Sequence, residues 1–132
     1  MKHHPIQLID LQIRELRILV NDPAECQKEN LEAKVAYQVG SHTFKDDQDI
    51  LMAGFRCLIN VDQENAPFEL LVDIVGVFTV GDEFPRDKVE HFAKHNAPII
   101  LMPYIRENVY SLAIRAGVNV HLPLVQVPTK NS

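Results

Sequence analysis

The chain has 132 residues, 46% of them hydrophobic, and a formal net charge of −5 from 18 acidic and 13 basic side chains. That length suits a single domain over residues 1–132, and the ordinary apolar fraction argues against disorder. The acidic balance, with no basic run, disfavours nucleic acid or anionic lipid as the main partner. The opening "MKHHPIQLID" has no apolar signal core and no stretch is long enough to cross a bilayer, so the expectation is a cytoplasmic protein without membrane insertion.

"IQLIDLQIRELRILV" is the first strand, but it does not keep one alternation. Ile9, Leu11 and Ile13 fall on one side, and Ile6, Leu8, Leu16, Ile18 and Val20 on the other. A strand with a bulge gives such a pattern. "NDPAE" breaks it, since Asn21 and Asp22 favour a turn and Pro23 cannot continue a ladder. "LEAKVAYQV" alternates from Leu31 to Val39 as a half-buried antiparallel strand.

"DILMAGFRCLINV" and "FELLVDIVGVFTV" form the strongest pair, joined by the loop "DQENAP". Leu51, Ala53, Phe55, Cys57, Ile59 and Val61 share one face, as do Phe68, Leu70, Val72, Ile74, Phe78 and Val80. The opposite faces mix Ile50, Met52, Leu58, Leu71, Val75 and Val77 with Arg56, Asn60, Glu69 and Asp73. Such a face suits a subunit interface or binding surface, or is simply the scattered exposure of an ordinary protein.

"PRDKVEHFAKHN" reads as a helix with Pro85 in its first turn, Val89, Phe92 and Ala93 on one face and Asn96 near its end. "PIILMPYIRENVYSLAIRAG" follows as a longer helix closed by Gly117, with Leu101, Ile105, Val109, Leu112 and Ala116 as its core stripe. Tyr104, Asn108 and Ser111 lie beside that stripe and are candidates for a subunit interface. Pro103 is anomalous, because a proline in a helix interior costs about 3 kcal/mol. Last, "VNVHLPLVQVPT" alternates but contains Pro123 and Pro128, which argues for an extended edge or groove-lining segment. Four strands followed by helices make an α+β fold with a four-stranded antiparallel meander.

Chemistry is sparse. No glycine-rich phosphate loop is present. His91 and His95 stand one helical turn apart, but two ligands at that spacing more often mark a solvated face than a metal site. Ser41 with His42, or Ser111, has no local pattern that poises a nucleophile, and His3 and His4 sit at the terminus. Cys26 and Cys57 lack metal-type spacing and read as thiols in a reducing compartment. No enzyme, metal or cofactor is expected.

"GVFTV" (Gly76–Val80), "ILMPYIRE" (Ile100–Glu107), "RAG" and "VHLPLVQV" together resemble the bacterial protein-export chaperone SecB family. That family carries a strand ending in a Gly-Gly-Ile-Phe-like element and a helix entered through a Leu-Phe-Pro-Tyr-x-Arg-Glu-like motif. Gly76 and Phe78 match, with Val75 replacing one glycine; Leu101, Pro103, Tyr104, Arg106 and Glu107 match, with Met102 where the family often has Phe. The resemblance implies a holdase that works without ATP on unfolded or precursor polypeptides and assembles as a dimer of dimers. It places Pro103 in the entry turn of the long helix, with "PIILM" as a bent lead-in. It also implies a client surface of Leu16, Ile18, Val118, Val120, Leu122 and Leu124, the alternative being that the last segment simply caps the core. The family continues into a further helix and an acidic tail that engages the export motor SecA. This sequence stops at Ser132, which leaves SecA open as a partner. A dedicated client such as an antitoxin, or a purely structural or adaptor oligomer, needs no such tail.

Overall fold

A computed structural model describes residues 5–122. Strand β1 (Ile6–Val20) leads through a helical turn, α1 (Pro23–Cys26), to β2 (Val35–Lys45), β3 (Ile50–Ile59) and β4 (Phe68–Val80). All pairings are antiparallel and the order across the sheet is β1-β4-β3-β2. The α+β expectation holds, with one refinement: the meander covers β2, β3 and β4, while β1 lies beside β4 in a Greek-key order. The crossing is fixed where β1 ends. The amides of Asn21 and Asp22 both donate to the carbonyl of Pro67, at 2.8 and 3.0 Å, and Asp22 Oδ1 caps α1 by accepting from the Glu25 amide.

β2 starts later than its alternation suggested. Lys34 and Asn60 still pair, the Asn60 amide donating to the Lys34 carbonyl at 2.9 Å and the Lys34 amide to the Asn60 side chain, at Oδ1, at 2.8 Å. Asn60 is left-handed (φ 59°), so its backbone turns out of the ladder there.

Two bulges in β1 set its faces. The pairing slips between Leu8 and Asp10 and again between Ile13 and Glu15, leaving Ile9 and Arg14 as the extra residues. Each slip flips the phase, so Leu8, Leu11, Ile13, Leu16 and Ile18 pair with Phe78, Gly76, Ile74, Val72 and Leu70, on one face of β4. The division expected from strict alternation, with Leu11 and Ile13 opposite Leu8 and Leu16, is thereby corrected.

The two expected helices are one helical course. A 3₁₀ turn (Arg86–Lys88), a short α segment, α2 (Val89–His91), and a π turn (Phe92–Asn96) run directly into α3 (Ala97–Ala116). Asn96 therefore ends nothing. Pro98 falls in the first turn of α3, directly after the π turn. Pro103 does not: it lies inside α3, and the entry-turn reading is wrong. Its ring is exposed, and Ile99, whose carbonyl loses the i+4 partner, is 54% exposed, so the defect lies on the open side of the helix. Gly117 closes the helix in the left-handed region (φ 71°), as expected.

The core lies between α3 and one face of the sheet. Leu101, Ile105 and Val109 are fully buried, Leu112 and Ala116 pack partly against the core, and Met102 and Ala113 join them. The two come close at Gly76, where a side-chain Cβ would stand 2.8 Å from Leu101 Cδ2, 2.9 Å from Phe78 Cε1 and 3.2 Å from Leu8 Cδ1. Arg86 staples the entry of the helical course to the β2–β3 turn. It reaches Asp49 Oδ1 at 2.8 Å and Asp46 Oδ1 at 3.4 Å, donates to the Gly81 carbonyl, and lies over the Phe44 ring.

Gly76→Ala is expected to cost about 1–3 kcal/mol in a denaturant titration, because Leu101 must shift or leave its rotamer. An unchanged midpoint would mean that the helix does not rest on Gly76.

Buried on β3, the Cys57 thiol is pushed up from its ordinary 9.0 to about 12 by burial alone. The unfolded chain releases that proton near pH 9 while the folded chain holds it, so stability falls as pH rises from about 9 to 12. Cys57→Ala is expected to lose this part of the alkaline decline, read as the difference between the two pH–stability curves.

Candidate functional site

Apolar surface is left uncovered on the helical side of the sheet. Ile13 and Leu16 face the same way as the buried Ile74 and Val72, yet are 52% and 39% exposed. On the outer side of α3, Ile99, Ile100 and Tyr104 are exposed in the first two turns, and Ile114 in the last. Tyr104, Asn108 and Ser111 follow one another along this outer side; Asn108 Nδ2 donates to the Tyr104 carbonyl at 2.8 Å and Ser111 is half-buried. The sequence reading singled out these three and missed the isoleucines, because a stripe of core residues draws attention from the face behind it. β1 is an edge strand, so its outer side offers free ladder groups beside this apolar surface.

The segment after α3 behaves differently from its expected role. Val118, Val120 and Leu122 are buried at 5%, 4% and 5% exposure, and only Asn119 and His121 turn outward. Polar contacts lock it in place. The Asn119 amide donates to the Cys26 carbonyl at 2.7 Å and its Nδ2 to the Lys28 carbonyl. The Leu122 amide donates to Tyr110 Oη at 2.8 Å, and the Leu122 carbonyl accepts from Tyr110 Oη and from Arg106. As direct client contacts, Val118, Val120 and Leu122 are thus corrected: their side chains complete the core. Leu124 lies outside the described residues. Of the expected client set, Leu16 is exposed and Ile18 is half-buried against the core.

Near the locked segment lies an open cleft of about 720 Å³. The lead-in Leu31–Lys34 forms one wall, Gln63, Ala66 and Pro67 another, and His121 borders it. Tyr37 stands on the core face of β2, its hydroxyl buried without a hydrogen-bond partner among the described residues and its pKa raised, chiefly by burial. The Cys26 thiol, which donates to the Pro67 carbonyl, is likewise raised by burial and then by Asp22 and Glu25.

Reactive constellations do not assemble. His91 and His95 stack at 4.4 Å between ring centroids, and among the described residues no group of three or more His, Cys, Asp or Glu is placed to hold a metal ion. Ser41 is exposed in the β2 bulge, and His42 Nε2 lies 3.9 Å from Glu90 Oε1. No helix among the described residues is long and apolar enough to cross a membrane.

Comparison with known proteins gives a consistent picture. The model of a family described as preprotein translocase subunit SecB matches residues 3–128. None of the curated proteins matches. Among solved structures, the chain is similar to the Mycobacterium tuberculosis SecB-like chaperone Rv1957, solved in complex with a ChAD peptide from the Rv1956 HigA1 antitoxin. The TM-score is 0.75 at 16% identity, over 92% of this chain and 91% of that one, which is a likeness of fold.

Because Leu122 is core, Leu122→Ala is expected to cost about 2–5 kcal/mol in equilibrium unfolding, as buried leucines do. A cost below about 0.5 kcal/mol, the range of ordinary surface substitutions, would return the segment to the surface.

Proposed function

The chain belongs to the SecB family, and on that premise we propose that it is an ATP-independent chaperone of the cytoplasm, a holdase that binds non-native polypeptides as one SecB-like domain per subunit. The observation that carries this reading is the uncovered apolar surface of Ile13 and Leu16 on the edge strand β1 and of Ile99, Ile100 and Tyr104 on the outer side of α3. A holdase must show apolar groups and free strand edges to extended chains, and both occur together here. The surface divides between two tasks. The outer side of α3, with Tyr104, Asn108 and Ser111, serves contact between subunits in a dimer of dimers. Leu16 and Ile18 serve the client, with the buried Val118, Val120 and Leu122 holding the neighbouring segment rigid beneath.

Export of precursor polypeptides together with SecA is one use of such a chaperone, and the description of the matched family favours it. A dedicated client is the second reading, favoured by the antitoxin peptide held by the similar Rv1957 chaperone.

Two measurements check the proposal. Light scattering of an aggregating client is expected to fall in the presence of the protein without nucleotide, and Leu16→Ser is expected to weaken that suppression several-fold while leaving melting temperature and assembly intact. Sizing by multi-angle light scattering is expected to give a dimer or tetramer at micromolar concentration. A stable monomer with no effect on aggregation would sink the reading.

A further inference from the structure

His91 and His95 lie outside the surface proposed for clients and subunits. They stand on the course that leads into α3, His91 at the end of α2 and His95 inside the π turn Phe92–Asn96. We propose that the two rings form an open site for a divalent transition-metal ion of the zinc class, each giving one imidazole nitrogen, with water in the remaining positions.

Spacing alone favours a solvated helix face, and three observations favour an ion. First, the rings already face each other, with centroids 4.4 Å apart and planes tilted by 34°. Two imidazole nitrogens held at about 2.0–2.1 Å from one zinc ion stand about 3–3.4 Å apart. Rings placed as these are reach that separation by small side-chain rotations, and the same two positions on a helix serve as ligands in established zinc motifs. Second, the backbone between the rings is held. Val89, Phe92, Ala93 and Ala97 are buried, and the Phe92 ring meets Phe78 and Phe84 edge to face at 5.4 and 6.1 Å. The ion therefore does not have to order the turn it binds, and little entropy opposes coordination. Third, the turn is of a rare kind. The Ala97 amide closes it on the Phe92 carbonyl, and single π turns of this sort concentrate at functional sites.

The neighbouring charges define the site as an open one. The Glu90 carboxylate lies 3.6 Å from Lys94 Nζ and 3.9 Å from His42 Nε2, so Glu90 and Lys94 are engaged with each other. Among the described residues no third His, Cys, Asp or Glu joins the pair. Two protein ligands fall short of the three or four of a catalytic or structural zinc centre, so the ion exchanges with solvent. Imidazole ligands select zinc, nickel and copper over magnesium and calcium. Each ring has two nitrogens, so one coordinates while the other keeps a hydrogen bond.

The test is isothermal titration calorimetry with Zn²⁺ alone in a non-coordinating buffer. The unaltered protein is expected to bind one ion per subunit saturably. His91→Gln and His95→Gln are each expected to weaken binding about tenfold or more, since each removes a ligand. The His3→Gln/His4→Gln variant is expected to bind as the unaltered protein does, and an excess of Mg²⁺ is expected not to compete. Excess Zn²⁺ is expected to raise the melting temperature of the unaltered protein and to leave that of His91→Gln/His95→Gln unchanged. Absence of saturable binding, equal affinity in His91→Gln/His95→Gln, or loss of binding in the His3→Gln/His4→Gln variant would each overturn the proposal. Suppression of aggregation plays no part in these readouts, so the chaperone reading and this site stand or fall separately.

Discussion

The seating of Leu101 on Gly76 is the contact from which the rest of the molecule follows. A helix packs on a sheet at a distance set by the side chains between them, and here one side chain is missing on the sheet. That brings α3 down onto β4, where Leu101, Ile105 and Val109 meet Phe78, Ile74 and Val72 in one buried cluster. The geometry also decides what stays open. A helix with its side chains is about 10–12 Å wide, whereas four strands at about 4.8 Å each span roughly 19 Å. One long helix therefore cannot roof the sheet. The turns from Arg86 to Asn96 and the segment Val118–Leu122 add cover, but Ile13 and Leu16 at the middle of β1 stay 52% and 39% exposed. The apolar surface proposed for clients and subunits is thus a consequence of helix width, not of a local sequence motif.

Most of the fold was legible because the elements repeat with strict periods. β4 occupies Phe68–Val80 as its alternation indicated, and the core stripe of α3 followed from three- and four-residue steps. What failed did so where a period is interrupted. Ile9 and Arg14 each add one residue to β1, and two slips return the strand to its first phase with Leu11 and Ile13 carried along. A sequence shows that alternation breaks there; it does not show whether the strand twists, ends or absorbs one more residue. The Greek-key placement of β1 was hidden for a related reason. Alternation assigns a face and is silent about the neighbour, which is chosen by the Asn21–Pro67 and Asp22–Pro67 bonds between distant parts of the chain.

Pro103 shows tertiary packing overruling local preference. An interior proline costs about 3 kcal/mol, comparable to the gain from burying one large apolar side chain, about 1.5–3 kcal/mol. Leu101, Met102 and Ile105 are all buried within one turn of Pro103, so ending the helix there would forfeit more than the proline costs. The sheet-facing side of α3 keeps the helix continuous, and the exposed side bears the defect. The π turn Phe92–Asn96 works in the same direction, since it lets Phe92 and Ala93 stay buried while the course continues into α3. A proline and an asparagine that read as boundaries are thereby absorbed.

The candidate site was less legible than the fold, and the reason lies in what an alternating segment can say. Val118, Val120 and Leu122 alternate with Asn119 and His121, which identifies an apolar face but not what it meets. Whether that face looks at a client or at the core depends on Tyr110 and Arg106, about two and three helical turns from the end of α3, both of which bind the Leu122 backbone. A tyrosine hydroxyl that both accepts from and donates to one residue behaves as a short strand partner, and it leaves that residue no freedom to turn outward. Charge misleads in the same way. A net charge of −5 is a sum over the whole chain, whereas binding responds to groups within about 10 Å at moderate ionic strength. Arg14 and Arg56 are 42 positions apart and line one cleft, with Asp73 between them, only because a bulge in β1 and the β1-β4-β3 order place them there.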